Sequence, residues 1–154
     1  MIGEQNMSQT KLSAAIEASR ELTKRLLAVL LERYSYASIL STHSEGKRLT
    51  VDFNGSSVSD ARFGERGFVT RVHNGIQYTE YSFNELTAQN LEQVADRIFR
   101  AAESDVQLLK GAGIRFGEYP VVSEDSWTAS FFSEAEILPE TMSVSDKLSK
   151  MQEI

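Results

Sequence analysis

The sequence predicts an α+β fold, an antiparallel sheet of about five short strands packed against two long helices. Three observations point there. Two long runs carry apolar residues at three- and four-residue steps, the region between them alternates apolar with polar residues, and tight-turn dipeptides punctuate that alternation.

The first helix is expected from Met7 or Ser8 to Arg33, with Ser8 as its N-cap. Leu12, Ala15, Ile16, Ser19, Leu22, Leu26, Leu27 and Leu30 form its apolar stripe, and no Pro or Gly interrupts it. From Tyr36 the pattern becomes strand-like. Ala37-Ser38-Ile39-Leu40 is a predicted strand, and His43-Ser44-Glu45-Gly46 a turn. Leu49, Val51 and Phe53 alternate with Arg48, Thr50 and Asp52, which predicts a strand with one wet face. Asn54-Gly55 is a tight-turn signal, because both residues tolerate positive φ. Ser57 to Phe63 is a third, polar strand, ended by a turn over Gly64-Glu65-Arg66-Gly67. Phe68–Val72 and Ile76–Tyr81 flank His73-Asn74-Gly75, a second hairpin signature. An antiparallel meander follows from this order, with room for one strand out of sequence. One of its faces has to be covered to bury Phe53 and Val72, and the two helices are the available cover.

Thr87 is the expected cap of the second helix, which runs to about Lys110. Its stripe is Leu91, Val94, Ala95, Ile98, Ala101 and Ala102, later joined by Leu108 and Leu109, and Gly111 and Gly113 stop it. Residues 1–113 thus make a helix–sheet–helix domain. Residues 114–154 are expected to be an extended linker and the truncated start of a next domain. Tyr119-Pro120-Val121-Val122 is extended by the restriction that proline places on its predecessor. Trp127, Phe131 and Phe132 are bulky enough to dock back on the domain or against a partner. Ser143 or Ser145 caps a final short helix.

Composition narrows the function. With 16 Lys plus Arg against 22 Asp plus Glu, the formal charge of -6 argues against a general nucleic-acid or anionic-membrane binder. The absence of cysteine removes disulfides, thiolate metal sites and cysteine nucleophiles. A cytoplasmic location is expected, since the first residues carry no signal-peptide pattern. The longest oily stretch, Leu26–Leu31, is far too short to cross a bilayer.

No catalytic, cofactor-binding or metal-ligating residue is assigned. His43 and His73 both fall in predicted turns, without a His-Glu-x-x-His helix, and are expected to be surface residues. A zinc site completing them with Asp52 or Asp60 is the weaker reading. Ser44, Ser56, Ser57 and Ser59 sit in no nucleophile elbow. The pairs Glu65 with Glu80 and Asp52 with Asp60 are expected on a solvated sheet face. The glycines at 64, 67 and 75 fit hairpins and match no phosphate-binding loop.

Five motifs occur in a fixed order: Tyr36-Ala37-Ser38-Ile39, Arg66-Gly67-Phe68-Val69-Thr70-Arg71-Val72, Asn74-Gly75, Asn84-Glu85-Leu86-Thr87, and the alanine-containing run Leu91–Ala102. In that order and spacing, Tyr36 to Ala102 resembles the amino-terminal domain of the TldD/PmbA family, called modulators of DNA gyrase. The segment around Asp146-Lys147-Leu148 is similar to the family's crossing into its middle region. Val69 stands where the family has a second strand glycine, and Ile76-Gln77-Tyr78-Thr79 replaces its small, glycine-containing strand, so this is a divergent member. The resemblance implies a parent that is a zinc-dependent peptidase or its inactive partner subunit. Zinc would then be held by a His-Glu-x-x-x-His helix well beyond this region, and no catalytic or metal residue of the family maps onto this chain. It further implies a non-catalytic role in subunit packing, with a subunit of the same family or a second copy, and in enclosing unfolded peptide. The alternative is a stand-alone structural or protein-interaction module.

Overall fold

A serine placed just ahead of an apolar stripe decides where the first helix begins. In the computed structural model, which describes residues 8–9, 13–60, 65–112, 117, 119–121 and 129–153, helix α1 spans Ala14–Leu31. Its N-cap is Ser13, whose Oγ accepts from the Ile16 N–H at 3.2 Å. The expected start at Ser8 is therefore corrected. Ser8–Gln9 form a two-residue strand, β1, paired antiparallel with β7 (Glu134–Ala135). Leu22, Leu26 and Leu30 of the stripe, joined by Val29 from outside it, reach the core, and all lie after Ser13. Packing thus fixes only the later turns, and the nearer cap wins.

The strands do not form one five-strand meander. β2 (Ala37–His43), β5 (Arg66–His73) and β6 (Tyr78–Phe83) make a three-stranded antiparallel sheet with β5 in the middle. β3 (Lys47–Asp52) and β4 (Gly55–Asp60) pair with each other as a separate two-stranded sheet. The chain accordingly divides into two compact units, one of Ser13–His43 and Glu65–Asp125, the other of Met1–Leu12, Ser44–Gly64 and Ser126–Ile154.

In the larger unit, the register aligns Ala37 with Val72, Ile39 with Thr70 and Ser41 with Phe68 across β2 and β5. It aligns Val72 with Thr79, Thr70 with Tyr81 and Phe68 with Phe83 across β5 and β6. Strand alternation puts all of these on one face. Helices α1 and α2 (Leu91–Gly111) cover that face. Leu26 and Leu30 from α1, and Leu91, Val94, Ala95, Ile98 and Ala102 from α2, close over Phe68 and Val72. The Phe68 and Phe83 rings stack at 5.1 Å, extending the aromatic part of this core.

The N-cap position of α2 belongs to Asn90, not to the expected Thr87. The two residues brace each other: Asn90 N–H donates to Thr87 Oγ1 at 3.2 Å, and Thr87 N–H donates to Asn90 Oδ1 at 2.7 Å. Gly111 lies inside the last turn without positive φ, so it does not stop the helix in a left-handed cap. Leu108 is exposed and does not join the stripe as expected. Gly113 lies outside the described residues.

In the smaller unit, β3 ends at Asp52 and β4 starts at Gly55, so the turn is Phe53-Asn54 rather than Asn54-Gly55. Asp52 Oδ1 accepts from the Asn54 N–H at 2.8 Å, and Gly55 takes φ 137°, which disfavours a side chain. Phe53 is consequently 98% exposed at the tip, not buried. Alternation extrapolated one residue past the strand end made it look like a core position. Helix α3 (Val144–Gln152) packs against β3. Ser143 caps it, its Oγ accepting from Asp146 N–H at 3.1 Å and donating to Asp146 Oδ2 at 2.7 Å. Phe131 and Phe132 are 84% and 48% exposed and are not docked, while Trp127 lies outside the described residues.

Replacing Leu26 by Ala is expected to cost about 2–5 kcal/mol in urea denaturation, whereas Phe53→Ser should stay within about 0.5 kcal/mol. Thr70 is fully buried and its Oγ1 has no hydrogen-bond partner. Thr70→Val should therefore raise stability, by about 1–2 kcal/mol, because an unsatisfied hydroxyl is exchanged for a methyl group of equal size. A loss of stability in Thr70→Val would show that the hydroxyl is satisfied in solution.

Candidate functional site

The two histidines lie on adjacent strands, at opposite ends of the sheet. His43 ends β2 and pairs in register with Arg66, while His73 ends β5 and pairs with Tyr78. Seven residue steps along β5, roughly 23 Å, separate those two levels. They cannot share a metal ion. Asp52 and Asp60 also sit at opposite ends of their hairpin, in register with Gly55 and Lys47 respectively. Asp60 forms an ion pair with Lys47 at 3.3 Å. Glu80 pairs with Arg71 at 2.9 Å on the sheet face away from the helices. Ser56, Ser57 and Ser59 lie on exposed β4. Among the described residues no group of three or more His, Cys, Asp or Glu is placed to hold a metal.

His73 is not the surface turn residue its sequence context suggests. It is 7% exposed, and both ring nitrogens are occupied. The Gly75 N–H donates to Nδ1 at 3.3 Å, so Nε2 carries the proton and donates to the Tyr119 carbonyl at 2.7 Å. The Tyr119 N–H donates in turn to Ile76 O at 3.1 Å. Tyr78 meets the imidazole edge-on at 5.1 Å. Exchanging a proton with a ligand would require opening this clamp. His73 is a structural tie between the hairpin and Tyr119.

Beside that clamp lies a cleft of about 630 Å³. It is lined by Arg33–Ser35 just past α1, by the His73–Gly75 corner, and by one face of α2 that includes Glu103, Gln107 and Lys110. The corner is held by its own hydrogen bonds. Asn74 Oδ1 accepts from the N–H groups of Ile76 (3.0 Å) and Gln77 (2.9 Å), and Gly75 takes φ 97°. Asn74 Nδ2 donates to Thr79 Oγ1 at 3.0 Å, and Thr79 Oγ1 donates to Asp105 Oδ2 at 2.8 Å. That chain of hydrogen bonds fastens the turn to α2. Across the cleft Arg33 pairs with Glu103 and lies over the Phe99 ring at 4.7 Å.

The lining mixes apolar surface, including Ala102 and Val106, with polar side chains of both charge signs, which can hydrogen-bond a ligand. Its one imidazole is taken up by the hydrogen bonds to Gly75 and Tyr119. Sequence reading missed Arg33, Tyr34, Glu103 and Asp105. Their only signal is helical phase, because the Arg33–Glu103 pair joins residues 70 apart.

Tyr34 has a half-buried ring and a buried hydroxyl without a hydrogen-bond partner. Burial raises its pKa above the ordinary tyrosine value, with Arg33 acting to lower it and Glu103 to raise it. Ionisation is therefore easier in the unfolded chain. The stabilising effect is complete below the unfolded tyrosine pKa of about 10 and is lost as pH rises through the folded value. Tyr34→Phe should leave stability unchanged or increased at pH 8, and should flatten the loss between pH 8 and 11. Parallel alkaline limbs in urea titrations of the two proteins would refute this.

Among the described residues no helix is long and apolar enough to cross a membrane. Comparison with protein-family models, curated proteins and solved structures finds no match.

Proposed function

We propose that this chain is a non-catalytic amino-terminal domain of a TldD/PmbA-like peptidase, or of its partner subunit, serving subunit packing and the enclosure of unfolded peptide. The supporting observation is a three-stranded antiparallel sheet with helices over one face and, among the described residues, unpaired outer edges on β2 and β6. An extended peptide adds to such an edge through its backbone, which requires little side-chain specificity. Zinc, in this reading, is held outside the chain by the parent, where it activates water against a peptide carbonyl.

Reading the coding frame past Ile154 tests the assignment. A longer chain is expected, with the His-Glu-x-x-x-His helix or its metal-free counterpart, and a stop codon directly after Ile154 would count heavily against it. Removing residues 1–110 from that parent should weaken cleavage of unfolded polypeptides. Full activity and full assembly after the deletion would overturn the enclosure role.

A further inference from the structure

Of the two sheet edges, β2 is the one whose own sequence carries no blunting device, and among the described residues no strand pairs with its outer side. Edge strands in soluble proteins are usually blunted by charge, proline or a bulge, because an open row of backbone donors and acceptors recruits another strand. Ala37-Ser38-Ile39-Leu40-Ser41-Thr42 has no charged residue and no proline, and it pairs with β5 in unbroken register. Leu40 points away from the helices and is 61% exposed, beside Val69 on β5.

We propose that β2 pairs antiparallel with β2 of a second copy of this chain, about a two-fold axis at Leu40, to give a continuous six-stranded sheet. The strand is self-complementary in that register. Leu40 meets Leu40 of the second copy, Ser38 meets Thr42, and Ile39 meets Ser41, so no like charges oppose each other. On the open face, Leu40 and Val69 of each copy then form one continuous apolar row. β6 is less suited to the same operation. A two-fold axis at Glu80 sets that carboxylate against its own copy, and an axis at Tyr81 leaves the two carboxylates diagonal neighbours. With each chain carrying a formal charge of -6, a neutral edge is the favourable place for two copies to meet.

This inference deepens the subunit-packing part of the proposed function and rests on it for its purpose. It assigns β2 to self-association and leaves β6 for peptide. Self-association is measured without any peptide or protease, so its failure and the failure of the peptidase reading are distinguishable.

Two variants of the full chain test it. Sedimentation over a concentration series should show a dimer, and Leu40→Lys should raise its dissociation constant at least about tenfold by placing two ammonium groups at the axis. Because the chain has no cysteine, Leu40→Cys introduces the sole thiol. Opposed Cβ atoms at the axis lie near disulfide reach, so mild oxidation should give a covalent dimer in high yield. Leu108→Cys, on the exposed face of α2, should give no covalent dimer under the same oxidation. Equal cross-linking at both positions would overturn the proposal. So would a wild-type monomer at all concentrations, including one whose β2 amides resist hydrogen exchange, which would show the edge covered from within the same chain. An unchanged dimer in Leu40→Lys would likewise rule out this edge.

Discussion

Everything in the larger unit depends on one face of β5 being kept dry. Phe68, Thr70 and Val72 point from this central strand into the helices, and Thr70 and Val72 are fully buried. β2 and β6 flank β5 and add Ala37, Ile39, Tyr81 and Phe83 to the core. The two helices reach it only by laying their stripes across the same rows. Burying the larger of these side chains stabilises the unit by about 1.5–3 kcal/mol each, more than an exposed ion pair such as Arg71–Glu80 contributes. The apolar rows set the architecture, and the polar contacts fix its details.

Those details account for the cleft. Once α1 and α2 are phased by their buried faces, Arg33 and Tyr34 just beyond α1 come opposite Phe99 and Glu103 on α2. The β5–β6 turn is then tied to the same helix through Asn74, Thr79 and Asp105. A hydrogen-bonded corner and a helix face thus border an open cleft with both apolar and charged lining.

How much of this was legible in the sequence follows from the range of each interaction. Local signals read well. The α2 stripe, the helix start at Ser143, and the turn after His73 all come from residues within a few positions of each other. Long-range choices did not. Alternation at Leu49 and Val51 announces a strand without saying which sheet it joins, so β3 and β4 were assigned to the wrong one. Capping failed for the same reason at Ser8, where a nearer serine and the position of the buried turns decided the start. His73 looked exposed because the Asn-Gly turn beside it is local, whereas Tyr119, which buries it, arrives 46 residues later. The cleft was the least legible feature, being assembled from two helix ends and a hairpin with no shared motif.

A three-stranded sheet with one covered face carries a further constraint, because it always has two edges. The register fixes what each edge shows. On the open face β6 presents Glu80, held by Arg71, and that ion pair places fixed charges one strand in from solvent. At the same level β2 presents only Ser38, and one level along, Leu40. The asymmetry originates in sequence alternation. Inward positions of both strands are committed to the core, so only outward positions are free to vary, and there the two strands differ in charge. An isolated domain would gain solubility from charge on both edges at little cost to its fold. The proposed pairing of β2 with a second copy draws on this difference in charge between the two edges.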